Sequence, residues 1–201
     1  MCIRDSIDFS IPEAVDGILE RALASKTALV IATTGLEDKT IKAIEAAAKE
    51  IALVVAPSMS MAVNLAMKLC QTAGGSLKDG GGGCDVEIIE RHHRFKEDSP
   101  SGTALKFGEL IADVMGQDKQ AHGRSGRPGQ RPRNEIGFHA VRTGDNPGEH
   151  TIVFGMLGET LEIAVKASNR DCYALGALAA AKFAHGREPG LYSMFDVLGL
   201  S

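Results

Sequence analysis

ALVIATTG at positions 28–35 and IALVVAPS at positions 51–58 are the most informative stretches of this 201-residue chain. Each is an unbroken apolar run that ends in a short turn of small and polar residues. A strand without polar alternation is expected to be covered on both faces, as in parallel sheets. The segment between them, 38–50, places Ile41, Ile44 and Ala48 on one helical face. Upstream, Ile7-Asp8-Phe9-Ser10 has the pattern of a short strand. Pro12 suits the first turn of a helix, Ser10 is placed to cap it, and 14–23 carry helical spacing. The order strand, helix, strand, helix, strand predicts a βαβαβ unit with a parallel sheet. A strand so close to Met1 predicts a truncated or artificially started frame, with residues 1–6 foreign to the fold.

The rest of the chain differs in character. The spacing predicts a helix over 61–72, a flexible glycine-rich loop over 74–83 and a half-buried strand over 85–90. A helix over 101–115 has Phe107, Leu110, Ile111 and Val114 on one face. After a basic segment, 122–133, three antiparallel strands are expected near 135–142, 150–154 and 160–166, then an Ala-rich helix over 171–184. This half is α+β. The change of character separates a first domain, 1–60 completed by about 169–201, from a second, 61–168.

Composition narrows the function. A 44% hydrophobic and 24% charged chain has enough apolar residues for a real core. The net charge of −4 offers no general attraction to nucleic acid or an anionic membrane. Aromatic residues make up only 4%, without Trp, which leaves little for a base-stacking surface. The apolar runs fall far short of the roughly 20 residues of a membrane helix, and no signal-peptide core follows Met1. Cys2, Cys70, Cys84 and Cys172 form no metal or redox motif, so reduced thiols in the cytoplasm are expected.

The densest polar cluster runs from Glu90 to Thr103, ERHHRFKEDSPSGT, between a strand and a helix. Loops held by rigid elements at such junctions carry functional groups. Adjacent His92 and His93 diverge in extended backbone, so one can face a reacting atom while the other binds a substituent. Lys96 is near enough to share the pocket. Mutual repulsion in a cationic pocket lowers the pKa of His and Lys and makes either a usable acid near neutral pH. Ser101-Gly102-Thr103 opens a helix whose free N–H groups, dipole and hydroxyls suit a carboxylate or phosphate. A zinc site of Glu90, His92 and His93 is weighed against this. The spacing matches no zinc motif, adjacent histidines rarely chelate one ion, and Lys96 repels a cation, so no metal is expected.

Thr33-Thr34-Gly35 and Ala56-Pro57-Ser58-Met59-Ser60 follow consecutive strands of the parallel sheet. Ligands bind outside the carboxyl ends of such strands, so the pair points to one crevice. Arg124, Arg127, Arg131 and Arg133 are read either as a solvated flexible loop that balances acidic charge or as an anion-attracting lid. His122, His139, His150 and His185 are expected to be surface or internally satisfied residues.

Together these residues resemble the dihydrodipicolinate reductase family. The most specific part is Glu87-Ile88-Ile89-Glu90, His92-His93, Lys96, Asp98 and Pro100-Ser101-Gly102-Thr103-Ala104. Ile7–Ser10, Thr33-Thr34-Gly35, Glu135-Ile136-Gly137, Arg142, Gly148-Glu149-His150 and Gly190-Leu191-Tyr192 support it in order and spacing. The resemblance implies an α/β fold: an incomplete Rossmann-type parallel sheet plus an α+β substrate and oligomerisation domain with a mixed, mainly antiparallel sheet. It implies reduction of a small cyclic dicarboxylate, 4-hydroxy-tetrahydrodipicolinate, with NADPH or NADH, in lysine and diaminopimelate synthesis. By the same carry-over His92 is proton donor and acceptor and Lys96 proton donor. His93, Ser101, Gly102 and Thr103 hold substrate. Ala32, Thr33, Thr34, Ala56, Pro57, Ser58 and Met59 line the cofactor crevice. A cytoplasmic homotetramer is implied.

The sequence departs from the family in four places. No GxxGxxG turn precedes Ile7, Ala32 stands where glycine is usual, Ser58 stands where asparagine is common, and the Gly80–Gly83 loop is lengthened. An alternative therefore stands beside the reductase: a truncated, non-catalytic fragment that binds dicarboxylate and oligomerises.

Overall fold

Short apolar strands and amphipathic helices alternate along the chain as their residue periods require. The computed structural model describes residues 5–80 and 82–200. In chain order the elements begin β1 (Ser6–Asp8), α1 (Pro12–Ser25), β2 (Leu29–Ile31), α2 (Asp38–Ala47), β3 (Ala52–Val55) and α3 (Met61–Leu77). They continue with β4 (Asp85–His92), α4 (Gly102–Met115), β5 (Lys119–His122), β6 (Glu135–Arg142), β7 (Glu149–Gly155) and β8 (Thr160–Lys166). The last are α5 (Asp171–Ala184), β9 (Gly190–Tyr192) and α6 (Met194–Val197). Two units result: one runs up to Leu65 and resumes at Asp171, the other is Ala66–Arg170.

In the first unit the strands lie in the order β1-β2-β3-β9, every neighbouring pair parallel. Leu29, Ile31 and Leu53 pack against Val15, Leu19 and Ala22 of α1 and Ile44 of α2. Val30 and Val54 point the other way, into a layer with Ala177, Ala180 and Ala184 of α5. Both faces of the apolar strands are thus removed from water, at about 25 cal/mol per Å² of apolar surface buried. Two local expectations need correction. Ser6 is the first residue of β1 and pairs with Leu29, so it belongs to the fold, while residues 1–4 lie outside those described. Ser10 does not cap α1. The N-cap is Ile11 without a side-chain bond, and the Ser10 N–H donates to Asp8 Oδ1 instead. The helix then starts on the fixed φ of Pro12.

In the second unit the order is β5-β6-β4-β7-β8. This sheet is mixed. β7 and β8 pair antiparallel, but β6, expected antiparallel, runs parallel to both β4 and β5. The reason lies in the connection: a parallel neighbour needs a crossover of a dozen or more residues, and α4 lies between β4 and β6. Helix α4 packs on β4 and β6. A Cβ at Gly108 would stand 2.4 Å from Phe138 Cζ, so only glycine lets the helix come this close. The expected loop over 74–83 starts later, because α3 continues through Gly74 and Gly75 to Leu77. A Cβ at Gly74 would lie 3.1 Å from Met115 Cγ.

Gly176 of α5 meets the turn after β3, where a Cβ would fall 1.7 Å from the Met59 carbonyl oxygen. Gly176→Ala forces backbone apart, and a loss of at least about 2 kcal/mol is expected from overpacking. Urea unfolding checks this, and an unchanged midpoint would refute the packing.

Candidate functional site

Alternation along β4 buries Val86, Ile88, Glu90 and His92 on one face. The strand's apolar face therefore ends in a carboxylate and an imidazole, and His92 sits on the last strand residue rather than on the loop. Glu90 is 1% exposed. Its carboxylate accepts from both Arg142 terminal nitrogens at 2.7 Å, Nη1 to Oε2 and Nη2 to Oε1. Oε2 also lies 2.6 Å from His92 Nδ1, and Oε1 accepts the Ser101 N–H at 3.1 Å. Burial pushes the Glu90 carboxyl up, but the bonds from Arg142, His92 and Ser101 outweigh it and hold it below the usual range. His92 is lowered: burial dominates, helped by the charges of Lys96 and Arg142 and opposed by Glu90.

Ser101 is the N-cap of α4, and its hydroxyl accepts from the Ala104 N–H at 3.1 Å. The same oxygen is 3.0 Å from His150 Nε2. His150 is lowered to about 4, chiefly by burial and further by His92 and Lys96. It is thus neutral at pH 7 and shares a hydrogen bond with the Ser101 hydroxyl through Nε2. The Ser101 hydroxyl is thus engaged by Ala104 and His150 inside the protein, and the residue is buried. The Gly102 and Thr103 N–H groups have no partner among the described residues. The donors open to an anion at this helix start are therefore main-chain ones.

His93 is half-buried, and its Nδ1 is buried without a hydrogen-bond partner. Lys96 Nζ pairs with Asp98 Oδ1 at 2.7 Å, and the Asp98 carbonyl accepts from Arg142 Nη2 at 2.8 Å. Arg142 thereby ties the turn that carries Lys96 to the Glu90 carboxylate. Gly148 faces His92, where a Cβ would stand 2.9 Å from Nε2. Arg142, His150 and Gly148 complete this cluster. Sequence reasoning gave them no role, although their neighbours Glu90 and Ser101 were singled out. The signal that could have found them is an arginine and a histidine at strand positions facing the buried side.

In the first unit Asp8, Ala32, Thr33, Thr34 and the 56–59 turn lie at the carboxyl ends of parallel strands. Buried Asp8 accepts from the Thr33 hydroxyl at 2.7 Å, joining the ends of β1 and β2. Thr34 and Pro57 are exposed and Ala32 is half-buried. The side chains of Ala56 and Met59 belong to the α5-facing core and can offer a ligand only backbone. The Ser58 hydroxyl accepts from the Ser60 N–H at 3.3 Å. The N–H groups of Thr33, Thr34 and Ser58 have no partner among the described residues. A row of unused amide donors beside an exposed threonine hydroxyl fits the carboxamide end of a nicotinamide.

The arginine segment is largely tied down. Arg124 pairs with Glu87 and Glu135, and Arg131 with Glu87 and Asp85. Its first residue, His122, ends β5 (Lys119–His122). Its paired arginines face sheet carboxylates and form no lid. Among the described residues no three His, Cys, Asp or Glu side chains converge as a metal site.

Comparison with known proteins bears on the family and the fold. The C-terminal family "Dihydrodipicolinate reductase, C-terminus" matches residues 62–198 and its N-terminal counterpart residues 5–59. The chain belongs to the dihydrodipicolinate reductase family. A 4-hydroxy-tetrahydrodipicolinate reductase of Rhodopirellula baltica is 62% identical over 198 residues, covering 97% of this chain and 71% of the relative. One from Alkalilimnicola ehrlichii is 51% identical over 197 residues, covering 96% and 73%. Among solved structures, a dipicolinate-bound dihydrodipicolinate reductase from Paenisporosarcina sp. TG-14 superposes with a TM-score of 0.75 at 26% identity. That match covers 96% of this chain and 72% of the other.

The neutral burial of His150 predicts a pH dependence. Its folded pKa lies below the unfolded value, so the unfolded chain binds more protons between about pH 6.5 and 4. Stability present at pH 7 is lost as pH falls through that window, by up to about 3 kcal/mol from this residue. Urea titrations should show this loss in the native chain but not in His150→Gln. Equal pH profiles would refute it.

Proposed function

We propose that the second unit binds a cyclic dicarboxylate and supplies the proton for its NAD(P)H-dependent reduction, the 4-hydroxy-tetrahydrodipicolinate reductase reaction of the family. One observation carries the reading. A single buried carboxylate holds both the His92 imidazole and the N-terminus of α4, whose Gly102 and Thr103 N–H groups are open. The helix start, with its partial positive charge, binds one substrate carboxylate. His93 offers its unpartnered Nδ1 to another polar substituent. Lys96 balances the remaining negative charge.

A bound nicotinamide supplies the hydride to a ring carbon. The chain's own groups do the rest: His92 Nε2 gives and takes a proton, and Lys96 donates one after releasing Asp98. Thr34, Thr33 and Ser58 hold the carboxamide and orient the ring. The nucleotide is NADPH or NADH. The chain acts in the cytoplasm, and among the described residues no helix is long and apolar enough to cross a membrane. The face of the second sheet opposite α4 exposes Ile89 and Val141 beside the Arg91–Glu149 pair. An apolar patch with a polar rim suits self-association, and a homotetramer built through this sheet is the proposed assembly.

Calorimetric titration with pyridine-2,6-dicarboxylate, with and without NADPH or NADH, tests the reading. Binding is expected, and its absence overturns the proposal. Gly102→Pro removes one open N–H at the first helical position, where proline is tolerated and nothing lies within 4 Å of the new Cβ. It should weaken dicarboxylate binding about ten-fold or more with the unfolding midpoint preserved. His92→Gln and Lys96→Ala should lower turnover by on the order of 10²- to 10⁴-fold in folded protein. Retained turnover would sink those roles.

A further inference from the structure

We propose that Glu90, braced by Arg142, is a positioning residue that fixes the tautomer and direction of His92 and sets the α4 N-terminus beside it. This rests on reading His92 as the proton donor and Gly102 and Thr103 as the carboxylate site.

Arg142 is always charged, and its two terminal nitrogens bond to both oxygens of Glu90. That keeps Glu90 ionised, and an ionised carboxylate only accepts. The bond of 2.6 Å to His92 Nδ1 therefore requires Nδ1 to carry a hydrogen. The neutral imidazole then has its lone pair on Nε2, the nitrogen that gains and gives up the proton. Nε2 has no partner among the described residues and faces Gly148. Gly148 has φ +152°, and a Cβ there would come within 2.9 Å of Nε2. The glycine thus keeps the space beside Nε2 open for a ligand.

The other oxygen performs the second task. Oε1 accepts the N–H of Ser101, the cap of α4. Ser101 in turn bonds to His150, whose ring meets that of His92 edge-on at 5.2 Å. One carboxylate thereby fixes the separation between the proton donor and the anion-binding amides. A purely structural ion pair would need only Arg142. The two extra bonds go to groups that border the open space.

Glu90→Gln separates these tasks. The amide oxygen can keep the Oε1 contacts to Ser101 and Arg142 Nη2, while the NH₂ replaces Oε2, loses the bond from Arg142 Nη1 and donates to His92 Nδ1. The imidazole must then place its hydrogen on Nε2. Labelling with ¹⁵N-histidine and long-range ¹H–¹⁵N correlation at neutral pH reads the tautomer directly. The charged and titratable groups facing this ring are Glu90 on β4, Arg142 on β6, His150 on β7 and Lys96 in the following turn. The native chain should show Nδ1–H with a bare Nε2, and Glu90→Gln should show Nε2–H. Turnover should fall on the order of 10²- to 10⁴-fold, as when a triad aspartate becomes asparagine, with dicarboxylate affinity within about three-fold.

A native Nε2–H tautomer overturns the inference, as does a Glu90→Gln variant with native tautomer and turnover. If Glu90→Gln does not fold, Arg142→Lys decides. Lysine keeps the charge but cannot bond both oxygens in one plane, so turnover should fall about ten-fold with dicarboxylate affinity retained. Unchanged turnover there also overturns the inference. The nitrogen shifts need neither cofactor nor turnover. Failure of the native chain to bind pyridine-2,6-dicarboxylate would count against the proposed function instead.

Discussion

A carboxylate buried at the end of an apolar strand is costly unless its charge is matched, because removing an ion from water costs several kcal/mol even after relaxation. Glu90 meets this constraint with Arg142, His92 Nδ1 and the Ser101 N–H. The rest of the second unit is arranged around that requirement. β6 must run parallel beside β4 to bring Arg142 level with His92, and the register pairs those two residues directly. α4 must start where Ser101 can donate its N–H. β7 must place His150 opposite Glu90, which the antiparallel register does.

Electrostatics and packing meet at His150. Its ring contacts both His92 and Phe107, so it belongs as much to the apolar layer under α4 as to the polar cluster. Burial keeps it neutral, and neutrality lets it stand beside His92 without repulsion while it bonds to the Ser101 hydroxyl. The consequence is an N-cap whose side chain is fully committed and a helix start whose main-chain donors remain available. Division of labour between side chain and backbone is how this site offers an anion a fixed, low-entropy set of donors.

The first unit follows a simpler logic. Apolar strands covered on both sides end together, and their last residues are too short or too buried to fill the space beyond them. Asp8 links β1 to β2 through Thr33, so the strand ends are held by a buried hydrogen bond. The glycine at 176 lets α5 reach the turn after β3, which keeps that turn on the sheet. Two basic side chains of the 122–133 segment, Arg124 and Arg131, are settled in the same manner in the second unit. Glu87 takes Arg124, Arg131 and His139 on the face away from α4 and is held at about 2 against the upward push of burial.

Much of this was legible in the residues. The helical period identified α1 to α5, because it depends only on local geometry, and unbroken apolar runs identified β2 and β3. The polar stretch from Glu90 to Thr103 marked the site, because so many ionisable residues cannot be accommodated in a core without a purpose. The direction of β6 was not legible, since a strand's own pattern does not record its neighbour. Nor was the Ser101 hydroxyl's commitment to His150, which lies 49 positions away. The sequence by itself therefore determined the elements and the chemical groups at the strand–helix junction. Only the tertiary structure decided which of those groups are spent on one another and which are left open, because pairing across a sheet depends on register and distance rather than on order along the chain.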